Sequence, residues 1–70
     1  MSWQRHQDGE VWIFRFHSFL DFLQVDDHGP TDFTASAHRA GQKVRRERRQ
    51  DWTLEQAQAR ALELYEGPEE

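Results

Sequence analysis

The sequence predicts an α+β fold, in which an N-terminal antiparallel β-hairpin or small sheet packs against a C-terminal α-helix. Trp12, Phe14 and Phe16 occupy alternate positions, which is the period of a strand with one aromatic face. An Asp-Gly pair at positions 8–9 precedes this strand and favours a hairpin turn. Residues 53–66 carry an apolar stripe at helical spacing between capping signals.

Length and composition predict one small domain, with the cytoplasm as the expected location. Its 70 residues predict a single domain over residues 1–67, followed by an acidic tail at 68–70. The absence of cysteine excludes disulfides and thiol chemistry. No apolar run approaches the roughly 20 residues of a membrane span, so we expect no membrane association.

The first predicted element is a hairpin within residues 2–17. A two-residue type I′ turn at positions 8–9 would connect an arm at 3–6 to an arm at 10–16. The second arm would present its aromatic face to the core.

Residues 18–29 are compatible with two structures, and a short helix is slightly favoured. Ser18 and Asp21 fit a weak capping box, and Gly29-Pro30 would end the helix. The segment 20–25 could equally be a strand that turns at 27–30, because periodicity alone does not separate short apolar runs.

Residues 31–50 also leave two alternatives open. Phe33, Ala37, Ala40 and Val44 form a thin helical stripe. Residues 32–38 could instead be a strand followed by a turn at Ala40-Gly41. The segment 43–49 has no core face apart from Val44, so it is either solvated or bound to a partner.

The C-terminal helix has the clearest signals. Thr53 is the predicted N-cap, Gln56 completes a capping box, and Trp52 and Ala57 are placed to form a hydrophobic staple. Gly67 is the expected residue after the helix. The predicted core of the domain is Trp12, Phe14, Phe16, Phe19, Leu20, Leu23, Leu54, Ala57, Ala61, Leu64 and Tyr65.

The chemistry-bearing residues do not form a catalytic or metal-binding pattern. The four histidines lie ten or eleven residues apart, so no two share a helical face at ligand spacing. Asp26, Asp27 and His28 read as a surface turn, and Ser18 and Thr53 as caps. We therefore predict that the protein is not an enzyme and uses no metal or other cofactor.

The basic segment, residues 39–49, is the candidate partner-binding site. It holds six cations against one glutamate, whereas the rest of the chain holds three basic and twelve acidic side chains. Such a segment is typical of phosphate binding, but arginine also pairs with acidic protein surfaces, and a solvated face is the third alternative. The predicted site residues are Arg39, Lys43, Arg45, Arg46, Arg48 and Arg49.

The order of these motifs resembles the small single-domain proteins of bacteriophages and prophages. The resemblance lies in positions 8–9, in Trp12, Phe14 and Phe16, and in Thr53-Leu54-Glu55-Gln56-Ala57 with Ala61. Many members of that group, such as anti-CRISPR proteins and RNA-polymerase inhibitors, block host complexes. The resemblance implies a location in the bacterial host cytoplasm and assigns no functional residue.

The predicted function is that of a non-enzymatic phage-type binding protein. It would dock on a larger host protein or ribonucleoprotein complex that handles nucleic acid, and inhibit or modulate it by occlusion. The alternatives are a small nucleic-acid-binding regulator that uses residues 39–49 directly, and a structural or assembly accessory protein.

Overall fold

The computed structural model describes residues 3–6, 9–16 and 20–67. They form five β-strands followed by one α-helix. The strands are β1 (Gln4–His6), β2 (Val11–Arg15), β3 (Phe22–Asp27), β4 (Phe33–His38) and β5 (Arg45–Arg49), and the helix is α1 (Leu54–Glu66).

The five strands form one antiparallel sheet in their order along the chain, β1-β2-β3-β4-β5. Each strand pairs with the next, so every connection is short and local. Helix α1 packs on one face of the sheet, mainly over β4 and β3. The predicted α+β class, with a sheet covered by a C-terminal helix, is confirmed.

The N-terminal hairpin is present with a longer connection than predicted. The last strand pair is His6 with Val11, which leaves residues 7–10 between the arms instead of two turn residues. Asp8 lies outside the described residues. Gly9 has a φ of +91°, and the Arg5 side chain occupies the space that a Cβ at Gly9 would need.

The helix favoured for residues 18–29 was wrong, because residues 22–27 form strand β3. Leu23 and Val25 are buried under α1, whereas the alternate residues Phe22 and Gln24 lie on the opposite face. Pairing on both sides, with β2 and β4, outweighs the local helical spacing. The predicted cap Ser18 lies outside the described residues.

For residues 31–50 the strand alternative is confirmed over residues 33–38. The turn that follows includes Gly41, which has a φ of +78°. The Ala40 backbone N–H donates to an Asp21 carboxylate oxygen at 2.7 Å, which joins this turn to the start of β3. The basic segment then forms edge strand β5.

Helix α1 begins where the capping box predicts. The Gln56 N–H donates to the Thr53 hydroxyl at 3.2 Å, and the Thr53 N–H donates to the Gln56 side-chain oxygen at 2.8 Å. Gly67 ends the helix without left-handed backbone (φ −65°), and its N–H donates to the Glu63 carbonyl. No helix in the described ranges is long and apolar enough to cross a membrane.

The core lies between α1 and one face of the sheet. Ala57 and Ala61 of the helix are fully buried in one cluster with Ala35 and Ala37 of β4, so small side chains let the helix approach the sheet closely. The buried apolar residues are Leu23, Val25, Phe33, Ala35, Ala37, Ala57 and Ala61.

The predicted core is only partly correct. Leu23, Ala57 and Ala61 are buried as predicted. Six others are half-buried against the cluster, namely Trp12, Phe14, Phe16, Leu54, Leu64 and Tyr65. Leu20 was wrong: it is 53% exposed, because it precedes β3 in a turn. Phe19 lies outside the described residues.

Candidate functional site

Strand β5 divides the basic segment between the two faces of the sheet. Successive residues of a strand point to opposite faces, and directly paired residues share a face. Arg45 and Glu47 pair with Ala37 and Ala35, which are buried under the helix, so they lie on the helix side. Arg46 therefore lies on the opposite face, together with Arg48.

Arg45 holds the C-terminus of helix α1. Its Nη1 donates to the carbonyl oxygens of Leu64 at 3.0 Å and of Gly67 at 2.7 Å. The last turn of the helix contains no basic residue of its own. Arg45 thus supplies, from β5, the cation that stabilises a helix C-terminus.

Arg49 also has partners within the chain. It forms paired hydrogen bonds with the Asp51 carboxylate at 3.1 and 3.2 Å, and it lies 6.0 Å from the ring centre of Trp52. These contacts tie the end of β5 to the segment that leads into α1.

Arg39 and Lys43 lie in the connection between β4 and β5. The Arg39 guanidinium lies 5.2 Å from the ring centre of Tyr65 in α1. Lys43 is exposed. The structure therefore does not bring the six predicted cations onto one surface.

The sheet face opposite α1 is here called the open face, because no described helix or strand covers it. Strand pairing arranges its side chains in three rows that cross the sheet. The first row is Arg15, Phe22 and His38; the second is Gln4, Ile13, Gln24, Ser36 and Arg46; the third is His6, Val11, Asp26, Thr34 and Arg48.

Positive charge predominates among these rows. Arg15 and Arg46 are exposed and have no hydrogen-bond or ion-pair partner within the described ranges. Arg48 forms two hydrogen bonds with the Asp32 carboxylate, at 2.7 and 3.0 Å, which lower the pKa of Asp32. The Arg48 side chain is 57% exposed. Exposed pairs contribute only about 0–1 kcal/mol, so Arg48 can exchange Asp32 for another anion.

Helix α1 presents the opposite charge on the other side of the molecule. Its exposed glutamates are Glu55, Glu63 and Glu66, against one arginine, Arg60. Arg60 is already paired with Glu47 at 2.8 Å and Glu63 at 2.9 Å. The net negative charge of the chain therefore does not describe the open face.

Phe22 and His38 form an aromatic pair at one end of the open face. They are direct partners across β3 and β4, and their rings stack at 4.1 Å between centres with 11° between planes. Burial lowers the pKa of His38, and the positive charge of Arg46 lowers it further, whereas Asp26 acts in the opposite direction. The neutral imidazole is thus favoured in the folded protein.

This lowered pKa predicts a loss of stability in mild acid. The unfolded chain binds a proton at His38 more readily than the folded chain, so stability is complete above about pH 6.5 and falls below it. Thermal melts between about pH 7 and pH 5 should show a larger decrease for the wild type than for His38→Gln. Equal decreases in the two proteins would contradict the prediction.

The open face borders a surface depression. A shallow, solvent-open depression is lined by Arg48, Arg49 and Gln50. Among residues 3–6, 9–16 and 20–67, no group of three or more histidine and carboxylate side chains could hold a metal ion. What the open face can do chemically is pair with phosphate and stack against planar groups.

Among the open-face residues that were not predicted as site residues, Arg15, Phe22 and His38 carry its charge and its aromatic surface. Arg15 could have been found, because it lies between Phe14 and Phe16 and must point away from their aromatic face. Phe22 and His38 come together only through the β3–β4 register, which the sequence left open.

Comparisons with known proteins add no functional assignment for this chain. The expected resemblance to small phage proteins stays a prediction. No family model, curated protein or solved structure matches this chain.

Proposed function

We propose that this protein is a non-enzymatic nucleic-acid-binding protein that holds its ligand on the open face of the sheet. The observation that carries the proposal is the pair of exposed arginines, Arg15 and Arg46, which lie on this face without a partner within the described ranges. A protein that only keeps itself soluble gains little from placing unpaired cations on one face and carboxylates on the other.

Phosphate is the anion that fits this face best. Arg15 and Arg46 lie on strands β2 and β5, which are separated by β3 and β4, so the two guanidinium groups are spread across the sheet. Spread cations match the repeated charges of a phosphate backbone better than a single carboxylate. Arg48 adds a third cation that can exchange its partner.

The test is a titration of labelled nucleic acid at about 50 and about 200 mM salt, followed by fluorescence anisotropy. Wild-type affinity should fall about tenfold or more between these conditions, because counterions are released from the phosphates. The double variant Arg15→Gln/Arg46→Gln should bind about tenfold more weakly and show a salt slope smaller by about two.

The matched control places the same charge change on the helix. Ala59 and Leu62 are exposed on α1, and Ala59→Glu/Leu62→Glu lowers the net charge by two, as the arginine double variant does. The control should bind as the wild type does. Equal loss in both variants would mean that only the total charge matters, and absence of binding by the wild type at low salt would refute the proposal.

Docking on a host complex that handles nucleic acid is a second candidate. It is supported by the charge separation, because Glu55 and Glu66 are exposed on the helix and could occupy a phosphate-binding surface of such a complex. That mechanism requires the helix, so Ala59→Glu/Leu62→Glu should alter complex binding while Arg15→Gln/Arg46→Gln should not.

A further inference from the structure

We propose, on the basis of the proposed function, that the ligand is single-stranded and that one of its bases stacks on the ring of Phe22. The open face combines cations with an aromatic pair, which is the combination used by proteins that bind single strands through phosphates and bases together. The aromatic pair belongs to the same row as Arg15.

The width of the open face disfavours the groove of a duplex as the binding partner. Five strands about 4.8 Å apart span roughly 19 Å between the outer strands, whereas the major groove of DNA is about 12 Å wide. The aromatic pair lies on the inner strands β3 and β4. The outer strands would meet the phosphate backbones at the edges of the groove before the aromatic rings could reach the bases. A single strand can lie across the sheet and turn its bases toward it.

His38 stacks on one ring face of Phe22, and Phe22 is half-buried, so its side chain keeps exposed surface on the open face. The two rings are nearly parallel and belong to neighbouring strands, so the second face of Phe22 turns toward β2. Among the described residues, arginine side chains lie over the rings of Trp12, Tyr65 and Trp52, and none lies over Phe22. His38 supports the ring from behind and holds its orientation.

Arg15 is positioned to close over a base that stacks on Phe22. It is the direct partner of Phe22 across β2 and β3, and it is exposed. Its guanidinium plane can stack on the second face of the base or reach the adjacent phosphate. Arg46, two strands away from Phe22 on β5, can hold a phosphate further along the same strand.

The experiment compares labelled oligothymidine, oligouridine and a duplex, each of about ten nucleotides, which is within the site sizes of single-strand-binding folds. Wild-type protein should bind both single strands more tightly than the duplex. The variant Phe22→Leu keeps an apolar side chain but removes the ring, and its single-strand affinity should fall about tenfold, with duplex affinity unchanged.

Two further variants separate stacking from simple apolar contact and from loss of fold. Leu62→Ala trims an exposed apolar side chain of α1, outside the open face, and should bind nucleic acid as the wild type does. Phe22→Trp should restore single-strand binding, and its added indole emission should be quenched by the bases beyond any change seen in the wild type.

The outcomes distinguish this inference from the proposed function. If the wild type binds nucleic acid and Arg15→Gln/Arg46→Gln weakens it, the proposed function stands. If Phe22→Leu then binds single strands as the wild type does, or if the Phe22→Trp emission is not quenched, base stacking on Phe22 is refuted. Tighter binding of the duplex than of either single strand would also overturn the inference.

Discussion

Replacing Leu23 with alanine is expected to cost about 2–5 kcal/mol in the free energy of unfolding. Leu23 is 2% exposed and lies in β3 beneath the helix, where the surrounding alanines cannot extend to fill the space. A domain of this size has about 3–5 kcal/mol available. The variant should therefore be largely unfolded, as circular dichroism or a urea titration would show.

A second leucine of the same chain gives the matched control. Leu62 is 41% exposed on the outer side of α1, and Leu62→Ala should change stability by no more than about 0.5 kcal/mol. A cooperative melt of Leu23→Ala close to that of Leu62→Ala would place the centre of the core elsewhere.

Arg45 and Arg46 are adjacent in β5, but their substitutions are expected to affect different properties. Substitution of Arg45 should lower stability, and substitution of Arg46 should weaken nucleic-acid binding. Arg45→Gln removes the charge-assisted bonds to the Leu64 and Gly67 carbonyls and should cost about 1–3 kcal/mol of stability. Its binding of nucleic acid should be unchanged at a temperature where the protein is folded. Arg46→Gln should leave the melting temperature unchanged and weaken binding severalfold.

Melting curves and anisotropy titrations of these two variants check the division of β5 between its faces. The pair is informative because reversal of all the arginines at once would change stability and binding together. Weaker binding by Arg45→Gln in the folded state, or a destabilised Arg46→Gln, would contradict the assignment of Arg46 to the open face.

Elements with local signals were predictable from the sequence. Helix α1 follows from Thr53 and Gln56, whose side chains satisfy the free N–H groups at its start without help from the rest of the fold. The N-terminal hairpin follows from the alternation of Trp12 and Phe14. Both signals operate within a few residues, so the sequence alone contains them.

Strands β3 and β5 were not predictable in the same way. The short apolar run of β3 fits two periods, and its pairing with β2 and β4 decides between them. Strand β5 contains only charged residues, so no apolar pattern marks it as a strand. Because β5 was not assigned as a strand, its arginines could not be divided between the two faces of the sheet. The site on the open face could therefore not be predicted.

The charged residues of β5 affect how the pairing register of this strand is determined. A shift by one residue would exchange its two faces and leave arginine at most positions on either side, so hydrophobic burial does not oppose the slip. Glu47 is the acidic residue among the arginines of β5, and the hydrogen bond that it accepts from Arg60 of α1 holds it on the helix side of the sheet. Arg45 reaches the end of the same helix. We expect the register of β5 to be set by the helix that follows it in the sequence.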